Sequence, residues 1–393
     1  MSKKLLILKC FSALLLLTLL GCVDAAPTFD NVAATRCSDG IQNFDETGID
    51  CGGNSCNRVC PPYPNEIKGE VVWRTVLTPN KEYTLSGPLL VRDGSILEIN
   101  AGTVIKAIPG TNAHIAVLPG AKLWVWGTEQ APVTITSAAE NPQPGDWGGL
   151  LLLGHAPVAQ EDRPRSVAGN YFYGGTREND SSGQLKYLHI EYAGGLYEDG
   201  TYYDGLGLYG VGTFTNIDYV RLSHNLGNAM GIYGGTAFVK HMLLTDNQST
   251  GVSITNSWRG KAADWYVSQT AANGLSFGDP LISAAEQTGF EINRLVVKGS
   301  QLAAFNFKTD RLKGTLTNVV LSGVSQAFSS ENGLDLGPLS ERGFGMFALR
   351  LENAASPFSW DGSSQVAPSF VHMGPTTLSS EFPAWAEIGR AHV

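Results

Sequence analysis

Residues 240–256 read KHMLLTDNQSTGVSITN, two short apolar runs joined by a polar turn. Segments of the same kind begin with YLHIEYAG (187–194), DYVRLSHN (218–225), DWYVSQTA (264–271), RLVVKGSQ (294–301) and NVVLSGVS (318–325). Counted from Leu222, the equivalent apolar position recurs after 22, 23, 30 and 24 residues. These positions are Leu244, Val267, Val297 and Leu321. A repeat of this length is typical of one coil of a solenoid protein.

The predicted coils consist of β-strands, because no segment after residue 66 keeps an apolar 3.6-residue period over the length of a helix. One coil cannot bury its own apolar side, so coils stack and equivalent side chains form ladders. Alternation along the short strands predicts inward apolar pairs and outward polar residues. The pairs are Val252 with Ile254, Leu275 with Phe277 and Phe305 with Phe307, and the outward residues are Ser253, Ser276 and Asn306. We therefore predict an all-β fold, a right-handed parallel β-helix preceded by a small disulfide-rich module.

The β-helix is predicted to cover residues 67–386. In its N-terminal part a different repeat aligns LVRDGSILEINAGTVIKA (90–107) with VLPGAKLWVWGTEQAPVTITSA (117–138). Residues 159–186 are rich in charge, Gly, Asn and Ser, which predicts an insertion that leaves the solenoid. An extra loop, GDPLISAAEQTGF (278–290), explains the longest of the spacings.

The first 21 residues have the order of an export signal, with three lysines before an apolar run (11–20) that is short for a membrane span. The ending LLGC (19–22) resembles the lipobox of bacterial lipoproteins, which implies that Cys22 is acylated and becomes the first mature residue. An ordinary signal peptide is the alternative. We expect residues 22–36 to be a linker, and the protein to be exported and held to the outer membrane by lipid, facing the cell surface.

A cysteine-rich module is predicted at residues 37–60, followed by a proline-rich linker at 61–66. The module contains Cys37, Cys51, Cys56 and Cys60. In an exported chain, cysteines at this density predict two disulfides, and three pairings are open. A zinc site is the alternative, but the spacing lacks a paired CxxC.

The same module is acidic and rich in glycine. Its carboxylates are Asp39, Asp45, Glu46 and Asp50. Carboxylates on a loop bent by glycines are ligands that calcium accepts, although their order does not match the D-x-D-x-D-G loop. Calcium is therefore one expected cofactor, and a solvated acidic surface around the disulfides is the alternative.

The charge of the chain excludes one class of partner. The net charge is −9, and removal of the three signal-peptide lysines takes it to about −12. A chain this acidic has no electrostatic footprint for nucleic acid and is not drawn to anionic lipid by charge. We expect a monomer that meets the membrane only through its lipid anchor.

The last seven residues, EIGRAHV (387–393), match the translation of a common sequencing adapter. We therefore expect the natural chain to continue past Ala386 with a different sequence. These seven residues take no part in any predicted site.

Several motifs occur in an order that resembles a known family. GDWGGLLLLGHAPV (145–158), GLYGVGTFTNIDYVRLSHN (207–225) and YGGTAFVKHMLLTDN (233–247) are similar to a group of exported β-helix lipoproteins of Bacteroidetes and proteobacteria. The cysteine-rich segment CSDGIQNFDETGIDCGG (37–53) resembles small modules near the N-termini of exported proteins from Bacteroidetes and myxobacteria. Most members of the lipoprotein group have no assigned activity, so the resemblance implies a β-helix at the cell surface rather than a reaction.

Asp218, Ser223 and His224 lie close together in sequence and suggest a hydrolytic triad. Successive side chains of a strand point to opposite faces, so Ser223 and His224 are not expected to act together. β-Helix scaffolds also carry polysaccharide lyases and hydrolases. The candidates for such chemistry are Glu191, Arg221 and Lys240.

The loop GGLYEDGTYYDGLGLYG (194–210) is the strongest candidate for ligand binding. Its candidate residues are Tyr197, Glu198, Asp199, Tyr202, Tyr203 and Asp204. Tyrosines stack on sugar rings, and carboxylates accept hydrogen bonds from sugar hydroxyls or hold calcium. An exposed polar loop with some tyrosines packed against the helix is the alternative. The sequence therefore predicts binding or adhesion, with extracellular polysaccharide as the ligand, and a β-helix lyase or hydrolase as the alternative.

Overall fold

The computed structural model describes residues 65–159, 171–197, 199–278, 289–353, 367–381, 383 and 385, all within the unit Tyr63–Val393. The predicted signal peptide, Cys22, the cysteine module with its calcium candidates and the tail 387–393 lie outside the described residues. Those predictions stay predictions.

The described residues form a β-structure with two short 3-10 turns, Glu331–Gly333 and Gly337–Leu339. The strands are β1 (Glu66–Val71), β2 (Arg74–Leu77), β3 (Glu82–Val91), β4 (Ile96–Asn100), β5 (Val104–Ala107), β6 (Ile115–Val117), β7 (Lys122–Trp126), β8 (Val133–Ser137), β9 (Leu150–Leu153), β10 (Gly183–Glu191), β11 (Leu206–Tyr209), β12 (Asn216–Ser223), β13 (Met230–Tyr233), β14 (Phe238–Thr245), β15 (Val252–Thr255), β16 (Lys261–Ser268), β17 (Leu275–Phe277), β18 (Phe290–Lys298), β19 (Ala303–Phe307), β20 (Gly314–Ser322), β21 (Gln326–Ser330), β22 (Phe344–Glu352) and β23 (Val371–Met373). Within this part of the chain, no helix has the length and apolar character needed to cross a membrane.

The strands pair in parallel, and each long strand from β10 onward pairs with the long strand of the next coil. Leu222 is in register with Leu244, then Val267, Val297 and Leu321 follow in the same ladder. The predicted repeat is confirmed, and the protein is an all-β, right-handed parallel β-helix. Strand β10 begins at Gly183, so the end of the predicted insertion already belongs to a coil.

Each long strand from β10 to β22 bends at one residue in the left-handed region, with φ between 46° and 65°. These residues define the first corner and are Tyr187, Tyr219, His241, Asp264, Arg294, Asn318 and Ala348. Left-handed backbone is uncommon for residues other than glycine. Because every coil from β10 to β22 repeats it, the conformation belongs to the architecture and is not confined to one site.

The corners divide the coil into three faces. The first face contains β2, β4, β7 and the long strands up to the first corner. The second face contains β5, β8 and the long strands after that corner. The third face contains β6, β9 and the short strands β11, β13, β15, β17, β19 and β21.

The core lies inside the coil stack and consists of the predicted inward ladders. Val252, Ile254, Leu275, Phe277, Phe305 and Phe307 are all buried in one cluster. Ser276 and Asn306 lie on the outer side as predicted, yet both are buried. Asn306 Nδ2 donates to Ser276 Oγ at 3.4 Å, and Ser329 Oγ donates to Asn306 Oδ1 at 2.9 Å. In-register strands stack these polar side chains over one another, which hides them from solvent.

Two asparagines form an internal ladder just after the second bend of their coils. Asn225 donates to Asn247 Oδ1 through its backbone N–H at 3.1 Å and through Nδ2 at 2.8 Å. Asn225 Oδ1 in turn accepts the backbone N–H of Ala193 at 2.9 Å. The ladder satisfies polar backbone groups that the turn would otherwise leave buried without a partner.

Candidate functional site

An aromatic column runs along the first corner. Tyr187 and Tyr219 stack with centroids 4.5 Å apart, and Tyr219 and His241 stack at 4.2 Å. Trp385 contacts the rings of Tyr219 and His241 edge-on, at 6.1 Å and 5.4 Å. Because parallel strands place equivalent residues directly above one another, the same corner position in three coils produces the column.

Charged side chains surround this column, with Asp218 and Lys240 on the first face and Asp264 and Arg294 at the first corner in the coils that follow. Asp218 accepts from His241 Nδ1 at 2.7 Å and pairs with Lys240 Nζ at 3.3 Å. Arg294 Nε donates to Asp264, which also lies 3.8 Å from His241 Nε2. The aromatic column therefore has paired acidic and basic groups both beside it and at its end.

Arg221 lies on the second face and differs from these charges because no residue that the structure describes is its partner. It is in register with His189 on β10 and Leu243 on β14. Its Nε atom is buried and makes no hydrogen bond, and no ion pair involves it among the described residues. A cation that is partly withdrawn from water without a carboxylate partner is energetically unfavourable, and an anionic ligand would relieve the cost.

His189 is nearly buried beside Arg221. Burial, followed by the nearby Arg221 charge, lowers the pKa of His189 to about 4. The imidazole is therefore neutral at neutral pH and adds no second positive charge. The polar side chain next to Arg221 on β10 is therefore the uncharged imidazole of His189.

A narrow pocket opens between these groups. It is lined by Tyr187, His189, Tyr219, Val220, Arg221, Leu243 and Trp385. Its volume is about 20 Å³, whereas one water molecule needs at least about 10–15 Å³ of such space. The pocket can receive about one water-sized group, such as a single carboxylate oxygen, while a sugar ring would have to stay outside it.

The three residues of the suspected triad lie in three different environments, as the alternation of the strand predicts. Asp218 contacts His241 and Lys240 rather than His224. Ser223 is fully buried at the end of β12, and its Oγ has no partner among the described residues. His224 stacks on Tyr192 at 5.1 Å. They do not form a catalytic triad.

The three lyase candidates are divided between two faces. Glu191 is on the second face, where it accepts a hydrogen bond from Thr136 Oγ1 at 3.4 Å. Arg221 occupies the adjacent outward column on the next strand. Lys240 is on the first face and is paired with Asp218. Only Glu191 and Arg221 share a surface.

Part of the tyrosine-rich loop packs against the third face. Tyr203 is buried, its ring lies 5.1 Å from His114, and its hydroxyl is 3.3 Å from His114 Nδ1. Asp204 is also buried and accepts hydrogen bonds from Asn228 Nδ2 at 2.9 Å and Tyr233 OH at 2.8 Å. Burial raises the pKa of Asp204 to about 6, against the opposing effect of these hydrogen bonds. In this structure both residues support the loop.

The other loop candidates are more accessible. Tyr202 is 53% exposed, and it forms an antiparallel bridge with Leu196. Asp199 is exposed and accepts hydrogen bonds from the Thr201 N–H at 2.9 Å and hydroxyl at 2.6 Å. Tyr197 is half-buried against Tyr203, and Glu198 lies outside the described residues. Ligand binding by this loop stays a prediction. Of its candidate residues, the exposed Tyr202 and Asp199 are the ones that a ligand can reach.

No group of three or more His, Cys, Asp or Glu side chains that could hold a metal ion occurs among the described residues. The predicted calcium ligands Asp39, Asp45, Glu46 and Asp50 are not among those residues, so calcium binding remains a prediction.

The aromatic column was not found from the sequence, although a signal was present. In YLHIEYAG the corner residue is the first letter, whereas in DYVRLSHN and KHMLLTDN it is the second. When the repeat segments are aligned by their first residues, the first segment is displaced by one position relative to the next two. This displacement hides the equivalence of Tyr187, Tyr219 and His241. Alignment on the tyrosines would have revealed it.

The fold and the site define a parallel β-helix protein with an open pocket on its outer wall. The chain belongs to the family of pectate-lyase-like β-helix domains, whose family model matches residues 69–378. No curated protein matches the sequence.

Two solved structures are similar to parts of the chain. The catalytic domain of a GH87 alpha-1,3-glucanase, in complex with tetrasaccharides, is 10% identical with a TM-score of 0.35, covering 82% of this chain and 65% of that chain. The Dettilon tailspike protein is 10% identical with a TM-score of 0.21, covering 70% of this chain and 61% of that chain. The chain thus spans less than two thirds of either protein, and neither likeness bears on its function.

Proposed function

We propose that the protein binds a carboxylate-bearing extracellular polysaccharide at the pocket beside the first corner, with Arg221 as the anchor. The observation that carries the proposal is an arginine that has no acidic partner among the described residues and lines a pocket able to receive a carboxylate oxygen. Arginine suits this role because its planar guanidinium forms paired hydrogen bonds with a carboxylate.

The surroundings of Arg221 fit a sugar ligand. Tyr187 and Tyr219 are among the residues that line the pocket. Aromatic side chains with a polar tip contact the apolar patches of sugar rings and hydrogen-bond their hydroxyls. Lys240 and Asp218 beside the column supply further polar partners.

Binding of the full chain to a uronic-acid polysaccharide and to a neutral glucan of similar length tests the proposal. Loss of a charged hydrogen-bonded pair is worth about 1.5–3 kcal/mol, so Arg221→Ala is expected to weaken uronate binding by about 10- to 100-fold. Arg221→Lys keeps the charge and should recover part of the affinity. Arg342→Ala is the matched control, since Arg342 pairs with Asp310 at 2.7 Å on a distant coil. Equal binding of both polysaccharides, unchanged by Arg221→Ala, would refute the proposal.

A second candidate function is β-elimination of the same polysaccharide. The observation that favours it is the neutral His189 beside Arg221, a proton acceptor next to a group that can neutralise a carboxylate. A base with a pKa near 4 is weak for removing a carbon-bound proton at neutral pH, so binding is the favoured function. Lyase activity would produce unsaturated sugar ends, and His189→Ala or Glu191→Ala would abolish them.

We also propose that the protein acts at the cell surface as a lipid-anchored adhesion or binding protein. The support is the lipobox-like LLGC (19–22) after a basic and apolar N-terminus. Cys22→Ser should release the protein from the membrane fraction. Unchanged membrane association in that variant would exclude the lipid anchor without affecting the proposal for Arg221.

A further inference from the structure

The C-terminal strap, residues 374–381, 383 and 385, lies across the outer side of the second face. Arg350 donates to the carbonyl oxygens of Thr376 at 3.0 Å and Leu378 at 2.6 Å. Tyr266 OH donates to the carbonyl oxygen of Ser380 at 3.2 Å. Arg350 is on β22 and Tyr266 on β16, so the strap crosses successive coils toward the N-terminal end of the helix.

The strap covers the outward column of which Arg221 is a member. That column follows the register His189, Arg221, Leu243, Tyr266, Val296, Val320 and Arg350. Leu378 and Trp385 pack on the apolar members of the column. The contacts of Trp385 with Tyr219 and His241 place its indole beside the pocket of Arg221. The strap therefore covers the column from Arg350 down to the pocket.

On the other side of Arg221 the column continues with three uncharged residues before it reaches Glu82 on β3. His189 is followed by Thr134 on β8, and Thr134 by Val104 on β5. Both Thr134 and Val104 are half-buried. A polymer lying along the column would find a path in this direction only, because Trp385 stands in the other.

We propose that Trp385 makes the Arg221 pocket a blind end, so that the protein recognises the end of a polysaccharide chain and not an internal segment. This inference rests on the proposed function and adds the part of the polymer that is bound. Arg221 holds the carboxylate of the terminal sugar, and the indole of Trp385 blocks the position that a further sugar would occupy. Trp385 is the specificity-determining residue.

The test compares an intact uronic-acid polysaccharide with the same mass of partially depolymerised material. For a protein that recognises chain ends, the amount bound per mass of sugar rises in proportion to the number of ends. For Trp385→Ala, internal segments become accessible, so binding to the intact polymer rises and the dependence on ends is lost. Trp385→Phe keeps a ring at this position and should preserve the preference for ends.

Leu378→Ala is a second variant, since it loosens the strap away from the pocket without touching Arg221. It should shift the end preference in the same direction as Trp385→Ala, by a smaller amount. If the full chain binds neither material, the proposed function fails. If it binds both equally per mass of sugar, and Trp385→Ala changes nothing, the proposed function stands and end recognition is overturned.

Discussion

Two regions on the outer surface of the coil stack contain the same kinds of residues, tyrosines with carboxylates, but use them differently. On the third face, Tyr203 and Asp204 are buried under their own loop, and their polar atoms are satisfied within the protein. At the first corner, Tyr187 and Tyr219 remain half-buried, and the adjacent Arg221 has no partner within the described part of the chain. Tyrosines and carboxylates therefore indicate a binding site only when the structure shows that their neighbours leave them accessible to a ligand. Substitutions on the third face should therefore affect stability, whereas those at the corner should affect binding.

The largest difference is expected for loss of a tyrosine ring. Removal of a fully buried aromatic side chain costs about 3–5 kcal/mol, so Tyr203→Ala should lower the free energy of unfolding by an amount in this range. Tyr187→Ala removes a half-buried ring and one stacking contact, with an expected cost of about 1 kcal/mol. Chemical denaturation measures both. If Tyr203→Ala and Tyr187→Ala lowered the free energy of unfolding by similar amounts, the different burial of the two tyrosines would not determine their contributions to stability.

The pH dependence of stability should also separate the two regions. The pKa of Asp204 is about 6 in the folded protein against an ordinary value of 3.8. As pH rises, the Asp204 carboxyl loses its proton in the unfolded state before it does so in the folded state. The free energy of unfolding therefore falls as pH rises from 4, and the fall is complete above the folded-state pKa. Two pKa units correspond to about 3 kcal/mol, which is the expected loss.

Denaturation at pH values from 4 to 7 measures this loss, and Asp204→Asn is the comparison because it cannot ionise. The stability of wild type should fall by the expected amount relative to that of the variant. Asp199→Asn is the control, since Asp199 is exposed on the same loop. Parallel curves for wild type and Asp204→Asn would show that Asp204 does not titrate in this range.

A third expected effect concerns polar groups inside the coils. Asn247→Ala removes the acceptor of two donors of Asn225, and each unsatisfied buried group costs about 1–3 kcal/mol. Asn216→Ala, at an exposed position on β12, should change the free energy of unfolding by less than about 0.5 kcal/mol. Equal effects would indicate that water replaces the lost acceptor.

Much of the fold follows from the sequence, because a coil repeat and an inward alternation each depend on local pattern. Leu222 and Leu244 could be placed in one ladder from spacing alone. The left-handed corner was not predicted, since Tyr187 and Ala348 have no intrinsic preference for that conformation and adopt it under the constraint of stacking. Burial of Asp204 was not predicted either, because it depends on which side of its loop meets the third face. Arg221 was found as a candidate, but only the structure shows that none of the residues it describes is a partner for this side chain.

The smallest expected effect decides between the two regions as ligand sites. Tyr202 is the most exposed tyrosine of the predicted binding loop, so Tyr202→Ala should change the free energy of unfolding by less than about 0.5 kcal/mol. If the corner holds the ligand, uronate binding should also be unchanged, because no contact links Tyr202 to the Arg221 pocket among the residues that line it. Glycan-array binding of Tyr202→Ala beside Arg221→Ala makes the measurement. Loss of binding in Tyr202→Ala together with full binding in Arg221→Ala would place the ligand site in the loop. Exposure of a side chain, and not an unpaired charge, would then be the property that identifies the ligand site in this protein.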